Sequence, residues 1–144
     1  MLSNTSKYAL RAAIYIAFNA IDGKKIGIKV ISENLNIPSP FLAKILQVLA
    51  KHKILSSTKG PNGGFGVGKD PFTVSLYDIV TIIDGDDLFK KCLISMRLCN
   101  ENEVQCPMHS KYEKIRSQLI EVFKQQSIGK LAKEMKKTNK EVMI

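Results

Sequence analysis

The chain has 144 residues, of which 44% are hydrophobic, so it is long enough to bury the core of one ordinary domain. Its three cysteines are an odd number, which excludes a fully paired disulfide framework and favours a reducing compartment such as the cytoplasm. The most apolar run, residues 9–21, is too short to span a bilayer, so we expect no membrane association.

The formal net charge of +9 is unevenly distributed along the chain. Residues 1–69 carry ten Lys and Arg side chains against two acidic ones, residues 70–110 carry three against seven, and residues 111–144 carry nine against four. A basic head suggests a polyanionic partner such as nucleic acid. Solubility alone would explain the same charge, so the pattern favours nucleic acid only modestly.

Two helices are predicted in the first part of the chain. Residues 6–21 are apolar on nearly every side, which is typical of a helix buried in a core or an interface. A short second helix carries Ile28, Ile31 and Leu35 on one face. The sequence Asn-Ile-Pro-Ser-Pro at residues 36–40 then ends this helix and begins another.

A third helix is predicted from Pro40 to about Lys51, with Ser39 as its N-cap and Pro40 at the first position, where a missing N–H does no harm. Leucine and isoleucine form its inner stripe. Its outer face is short, polar and mostly basic: Ala43, Lys44, Gln47 and Lys51. Two helices joined by a brief turn in this way are typical of a helix-turn-helix, although any small helical core produces the same pattern.

A β-hairpin is predicted next. Residues 54–59 and 65–69 have the character of strands, and Gly60-Pro61-Asn62-Gly63-Gly64 joins them with a glycine-rich tip. A helix-turn-helix followed by a hairpin is the order of a winged helix. In that interpretation the third helix enters the major groove of DNA, while Lys59 and the backbone of the tip contact phosphates or the minor groove. A purely structural hairpin is the alternative.

The second half contains three more predicted helices. Ser75 is the expected N-cap of a fourth helix, and residues 84–87 are expected to form a solvated loop. A long helix begins near Ser110, and a short basic helix follows at residues 128–140. The long helix carries an apolar seam: Tyr112, Ile115, Leu119, Val122 and Gln126, widened by Ile120 and Phe123. This seam suits pairing with a second copy of the chain, and packing back on the domain is an equal alternative.

All the cysteines lie in one stretch, Cys92-x6-Cys99-x6-Cys106-Pro-Met-His109. Three thiolates and an imidazole within this stretch can close around one soft or borderline metal centre. Structural zinc also uses such donors, but the tight C-x2–4-C pair that zinc sites usually contain is absent. Iron–sulfur clusters accept wider gaps between their thiolate ligands. A His-ligated [2Fe–2S] cluster is therefore the first choice, and [4Fe–4S] is the second. Reactive thiols without a metal are the third possibility, because nearby basic side chains (Lys90, Lys91 and Arg97) would favour thiolates.

Several segments together carry a family resemblance. They are Ser6-Lys7-Tyr8-Ala9-Leu10-Arg11, Ile31-Ser32-Glu33, Ile37-x-x-x-Phe41-Leu42, Leu55-Ser56-Ser57-x-Lys59-Gly60-Pro61-x-Gly63-Gly64-Phe65-x-x-Gly68-Lys69, and the cysteine stretch with its C-P-M-H ending. With these segments the chain resembles the IscR/NsrR-type family of bacterial winged-helix transcription regulators. The resemblance extends to about Leu131.

The resemblance implies a homodimer, joined through the long helix at residues 111–127, that binds a pseudo-palindromic operator in double-stranded DNA. It also implies an iron–sulfur cluster that senses redox state, nitric oxide or cluster supply, with Cys92, Cys99 and Cys106 as thiolate ligands. Nitric-oxide sensors of the family have an acidic ligand where Ser6 and Lys7 stand here, so His109 becomes the candidate fourth ligand. The cysteine gaps of six residues exceed the family's usual five, and Ala43 replaces an acidic residue of the cluster-assembly regulators.

The expected fold is mostly α with a small β-hairpin: a winged helix-turn-helix followed by a long dimerisation helix. The expected segments are a DNA-binding head at 1–87, a cluster-binding loop at 88–110, the dimerisation helix at 111–127 and a basic helix with its tail at 128–144. The candidate DNA contacts are Lys7, Ser39, Lys44, Lys59, Gly60 and Asn62. A non-enzymatic regulator is thus predicted. The alternatives are a metal-free or zinc-binding thiol switch of the same fold and a small iron–sulfur redox protein.

Overall fold

The structure, a computed structural model, describes residues 1–94, 96–99 and 106–138. It is mostly helical with one antiparallel hairpin, which confirms the predicted fold class. The elements, in chain order, are α1 (Asn4–Asn19), α2 (Ile28–Leu35), α3 (Ser39–Lys51), β1 (Leu55–Thr58), β2 (Gly64–Val67), a 3₁₀ turn (Pro71–Thr73), α4 (Leu76–Asp84), α5 (Asp87–Lys90), α6 (His109–Gln125) and α7 (Ile128–Lys137). None of the helices in this part of the chain combines the length and apolar character that a bilayer crossing needs.

Helix α1 is the centre of the core, as its apolar sequence predicts. It packs against α2, α3, α4, α7 and β2, and four of its apolar side chains are fully buried: Ala9, Ala12, Ala13 and Ile16. It begins at Asn4, two residues earlier than predicted, because Ser3 acts as its N-cap and accepts a hydrogen bond from Ser6 N at 3.0 Å. Small alanines let the neighbouring helices approach closely.

The turn between α2 and α3 is held by local hydrogen bonds. Asn36 adopts the left-handed conformation (φ 53°), and Ser32 Oγ donates to Ile37 O at 2.6 Å. The prediction that Ser39 caps α3 is wrong. Pro38 occupies the N-cap position, Ser39 is the first helical residue, and no side-chain cap bond forms. The fixed φ of Pro38 places the turn one residue earlier.

The hairpin has a simple register, in which Leu55 pairs with Val67 and Thr58 with Gly64. Ile26 adds one further antiparallel bridge to Phe65. A Cβ on Gly64 would lie 2.4 Å from Ile26 O, so only glycine permits this close approach of the two backbones.

Helix α4 begins at the predicted cap, since Ser75 and Asp78 form a capping box. The prediction that residues 84–87 form a solvated loop is only partly right: Asp84 ends α4 and Asp87 begins α5. Asp84 also accepts a hydrogen bond from Ser3 Oγ at 2.6 Å, which ties the end of α4 to the start of α1. The last residues of the predicted basic helix and tail, 139–144, lie outside the described residues.

Candidate functional site

The candidate DNA contacts lie on three elements of the head. Lys7 is exposed on the first turn of α1, and Lys44 is exposed on the outer face of α3, whereas Ser39 is half-exposed at the first position of α3. Because α3 packs on α1 and on β1, its outer face and the hairpin belong to one rigid unit. A basic, exposed helix next to a projecting hairpin has the arrangement that a major groove and its flanking phosphates can accept.

The hairpin tip supplies the other three candidates. Lys59, Gly60 and Asn62 are all exposed, and Gly63 N closes the turn by donating to Gly60 O at 3.0 Å. Gly60 has a φ of 109° and open space around it, so its backbone can approach a ligand. Gly63 serves packing instead, because a Cβ there would lie 2.2 Å from Thr58 O.

Sequence reasoning missed two apolar side chains on the exposed surface of α3. Phe41 and Val48 lie seven residues apart on one flank of this helix and are 40% and 37% exposed. The ring of Tyr8 meets Phe41 edge-on, with 5.7 Å between centroids, so α1 supports this flank. Apolar side chains at such positions can contact thymine methyl groups. The sequence signal that could have identified them is their spacing, three residues before and four residues after the exposed Lys44.

Arg11 fixes the angle between α1 and the helix-turn-helix. Its Nη2 donates to Leu35 O, the last residue of α2, at 2.8 Å, and its guanidinium lies 5.9 Å from the centroid of the Tyr8 ring. A cation at a helix C-terminus is stabilised by the helix dipole. The reading surface is therefore positioned by α1 as well as by α2.

The cysteine stretch has a small folded scaffold. Cys92 N donates to Arg97 O at 3.1 Å, and Cys99 N donates to Lys90 O at 2.9 Å, on either side of an antiparallel bridge between Lys91 and Leu98. Residues 95 and 100–105 lie outside the described residues.

The four predicted metal ligands come together as two pairs of donors. The sulfur atoms of Cys92 and Cys106 are 3.8 Å apart, far longer than the ~2.05 Å of a disulfide bond. Cys99 Sγ lies 2.8 Å from Nδ1 of His109, which is the first residue of α6. All three cysteines are half-buried. Within the described part of the chain, no three such donors are close enough to surround a single metal ion.

Arg116, which sequence reasoning missed, lies behind this site. It is 6% exposed and forms an ion pair with Glu113, and its guanidinium also donates a hydrogen bond to Cys99. Burial by itself would lower the pKa of Arg116, but the hydrogen bonds to Cys99 and Glu113 outweigh burial, so the pKa is raised. The available signal was its position seven residues after His109, on the same face of α6.

The donor types, and the spacing within each pair, fit the ligands of an iron–sulfur centre. Two metal–sulfur bonds of about 2.3 Å at a tetrahedral angle hold their sulfurs about 3.8 Å apart, which matches Cys92 and Cys106. A sulfur and a nitrogen on one metal ion lie about 3.5 Å apart, so Cys99 and His109 would separate by less than 1 Å. Arg116 Nη1 is buried and has no hydrogen-bond partner among the described residues, so a donor remains for an anionic group.

Helix α6 leaves an apolar stripe uncovered. It packs mainly against α4, and Phe123 faces inward with its centroid 5.6 Å from that of Phe89. At Phe123 the apolar seam therefore packs back on the domain, which is one of the two alternatives that the sequence left open. Ile115 and Val122, in contrast, are 61% and 54% exposed.

Comparison with known proteins gives a consistent assignment. The family described as "Rrf2: Iron-dependent Transcriptional regulator" matches residues 2–134. An HTH-type transcriptional regulator of Aquifex aeolicus is 33% identical over 132 residues, which are 91% of this chain and 90% of that protein. The HTH-type transcriptional regulator IscR of Klebsiella pneumoniae is 29% identical over 83 residues, 58% of this chain and 50% of that protein.

Solved structures share the fold. CymR, the global cysteine regulator of B. subtilis, has a TM-score of 0.74 and 21% identity, and the match covers 93% of this chain and 97% of that one. IscR of T. potens has a TM-score of 0.74 and 19% identity, with 96% and 90% covered. CymR of Staphylococcus aureus has also been solved in an oxidized form, with a TM-score of 0.71, 20% identity, and 92% and 95% covered.

Proposed function

The chain belongs to the Rrf2 family of DNA-binding transcriptional regulators, which are not enzymes, and from that premise we propose that it is a homodimer whose operator affinity is controlled by an iron–sulfur cluster. Cys92, Cys99, Cys106 and His109 would hold the cluster. The observation that carries this proposal is the pairing of the four donors, Cys92 with Cys106 and Cys99 with His109.

Paired donors favour [2Fe–2S] over the other metal centres. A [2Fe–2S] cluster has two irons that take two protein ligands each, and histidine can replace cysteine on one of them. In a [4Fe–4S] cluster, each iron takes one ligand, and a single zinc ion gathers all four donors at one point. When bound, such a cluster supplies one-electron redox chemistry at a potential that the surrounding hydrogen bonds and charges set.

A second copy of the chain is proposed to cover the stripe on α6 formed by Ile115, Leu119 and Val122. These side chains lie at i, i+4 and i+7 and would meet their counterparts across a two-fold axis. The two α3 helices would then enter successive major grooves of a pseudo-palindromic operator, about 34 Å apart. Lys7, Ser39 and Lys44 are the proposed contacts beside or in the groove, and Lys59, Gly60 and Asn62 those of the wing.

Two contacts connect the cysteine site to the DNA-reading head. Phe89, three residues before Cys92, is buried between Tyr77 of α4 and Phe123 of α6, with ring centroids at 4.5 and 5.6 Å. Asp84, at the end of α4, holds Ser3 at the start of α1, which carries Lys7. A change at the cysteines can therefore shift α6 and α1 together, which would alter the angle between the two heads of a dimer.

The cluster is tested on protein purified without oxygen. We expect visible charge-transfer absorption, together with iron and sulfide, in the wild-type chain and their loss in Cys92→Ser. The matched control is Ser110→Ala, next to His109 but without a donor role, which should keep the colour. A colourless wild-type protein that contains zinc would refute the cluster.

DNA binding is tested through its salt dependence. Lys59→Ala should weaken binding to every sequence and reduce the salt slope by about 0.9, because one phosphate contact is lost. Lys133→Ala removes another exposed lysine, from α7, and should leave the slope unchanged. An unchanged slope in Lys59→Ala would contradict the proposed wing contact.

A metal-free thiol switch is the second candidate. The 3.8 Å between the sulfurs of Cys92 and Cys106 is close enough for a disulfide to form with a small shift, and CymR of Staphylococcus aureus has been solved in an oxidized form. A peroxide would supply the oxidant: the two thiols lose two protons and two electrons, and the peroxide is reduced. This alternative predicts a colourless protein whose DNA affinity changes with peroxide and is restored by a dithiol.

A further inference from the structure

Arg116 is a buried cation whose hydrogen-bond donors are not all paired within the described residues. It is 6% exposed, yet its Nη1 has no hydrogen-bond partner among the described residues. The rest of the guanidinium is engaged: Nη2 donates to Glu113 Oε2, another donor reaches Cys99, and the ring centroid of Tyr112 is 5.9 Å from Cζ. A buried guanidinium is normally paired at every donor, because an unpaired charged donor reduces stability.

The position of this cation points to the cysteine site. Arg116 lies two turns after His109 on the same face of α6, so both side chains project toward the loop that carries Cys99. One ligand sulfur thus lies within hydrogen-bonding distance of the imidazole and also interacts with the guanidinium. Glu113 neutralises part of the positive charge but leaves the Nη1 donor open.

We propose that Arg116 is the counter-cation of the cluster and raises its reduction potential. This inference rests on the proposed function, since it assumes that the cluster binds at these cysteines. Three thiolates outweigh the formal charge of an oxidised [2Fe–2S] core, and one-electron reduction adds a further negative charge. A buried cation beside one sulfur stabilises the more negative, reduced form most, because the interior screens charges poorly. Hydrogen bonds to ligand sulfurs act in the same direction.

A purely structural role for Arg116 makes a different prediction. If the guanidinium only ties the loop to α6, its removal would loosen the site and speed cluster loss without a consistent change in potential. Glu113 separates the two roles. Its carboxylate offsets the charge of Arg116, so its neutralisation should shift the potential in the opposite direction from the neutralisation of Arg116.

The experiment is an anaerobic redox titration of the cluster-loaded chain, with dithionite as the one-electron reductant and the visible absorption as the readout. We expect Arg116→Gln to shift the potential to a more negative value, Glu113→Gln to shift it to a more positive value, and Arg116→Lys to remain near wild type. Lys114→Gln is the matched control, because it removes the same charge from an exposed position on the same helix. Its shift should be several-fold smaller than that of Arg116→Gln.

The outcomes separate this inference from the proposed function. A wild-type chain that takes up no cluster refutes the proposed function before any potential is measured. If the wild-type cluster forms but Arg116→Gln and Glu113→Gln shift the potential in the same direction, or neither shift exceeds that of Lys114→Gln, the inference is wrong. Should Arg116→Gln fail to hold the cluster, the sign of the Glu113→Gln shift against the Lys114→Gln control decides.

Discussion

The DNA-reading head and the region formed by the cysteine site and α6 differ in how far they bury their apolar side chains. In the head, α1 is surrounded by other helices, and residues such as Ile16, Leu46 and Ile79 are fully buried. In the second region, Met96 is 96% exposed and Ile115 is 61% exposed. The head therefore holds most of the buried core of the chain. The second region has the exposed apolar surface that the proposed second copy would cover and the unpaired Nη1 of Arg116 that lies beside the proposed cluster.

The largest expected difference between the two regions comes from truncating one apolar side chain in each of them. Leu46→Ala in α3 should lower the free energy of unfolding by about 2–5 kcal/mol, because it leaves a cavity in a fully buried position. Ile115→Ala should change the same quantity in the monomer by only about 0.5 kcal/mol. Urea unfolding at low protein concentration measures both. Equal losses for the two variants would mean that α6 is already covered within one chain.

A charge placed in the exposed stripe sharpens the comparison further. Val122→Asp should weaken the proposed dimer by about a hundredfold or more, because burying an unpaired carboxylate costs about 3 kcal/mol or more. Lys114→Asp is the control, since it presents the same acid on a different face of α6. Sedimentation velocity across a concentration series gives the two dissociation constants. A dimer that tolerates Val122→Asp would place its interface elsewhere.

Gly129 and Gly27 differ in how much space a Cβ atom would have. Gly129→Ala should destabilise the chain by about 1–3 kcal/mol, because a Cβ there would lie 2.7 Å from Phe72 N of the 3₁₀ turn. Gly27→Ala meets nothing within 4 Å and should have an effect of only a few tenths of a kcal/mol. Thermal unfolding of both variants measures the difference. Similar melting temperatures would show that the 3₁₀ turn moves away at little cost.

The smallest expected effect concerns the tether between the two regions. Ser3→Ala removes the N-cap of α1 and the hydrogen bond to Asp84, and should cost about 1 kcal/mol at neutral pH. Burial by itself would raise the pKa of Asp84, but the hydrogen bonds from the Ser3 side chain and backbone outweigh burial, so the pKa is lowered. Because the pKa of Asp84 is lower in the folded chain than in the unfolded chain, its carboxylate stabilises the fold above the unfolded pKa. This stabilisation is lost as the pH falls through the folded pKa.

The stability difference between wild type and Ser3→Ala should therefore shrink as the pH falls from the ordinary Asp value of about 4 toward the lowered pKa of Asp84 in the folded chain. Urea unfolding at a series of pH values follows this difference. Ser110→Ala, on an exposed residue of α6, is the matched control and should show no such trend. A difference that stays constant through this range would mean that the carboxylate does not stabilise the tether.

Sequence patterns predicted the head well because its signals are local. The apolar spacing of α2, the capping box at Ser75 and the glycine-rich hairpin each specify an element from neighbouring residues. The same logic failed at Ser39, where Pro38 takes the cap position. It left the surroundings of Phe123 open, because the apolar spacing of α6 does not reveal which side α4 covers. The short helix α5 gave no signal, since it has only four residues.

The sequence by itself determined the order of the elements, the basic face of α3 and the set of three cysteines and a histidine, because composition and periodicity are local properties. Only the tertiary structure decided how those donors pair, that Arg116 is buried beside Cys99, and that Asp84 reaches Ser3 across 81 residues of chain. These contacts depend on how α1, α4 and α6 pack around the core. The burial of side chains far apart in the chain sets that packing, and no short stretch of sequence records it.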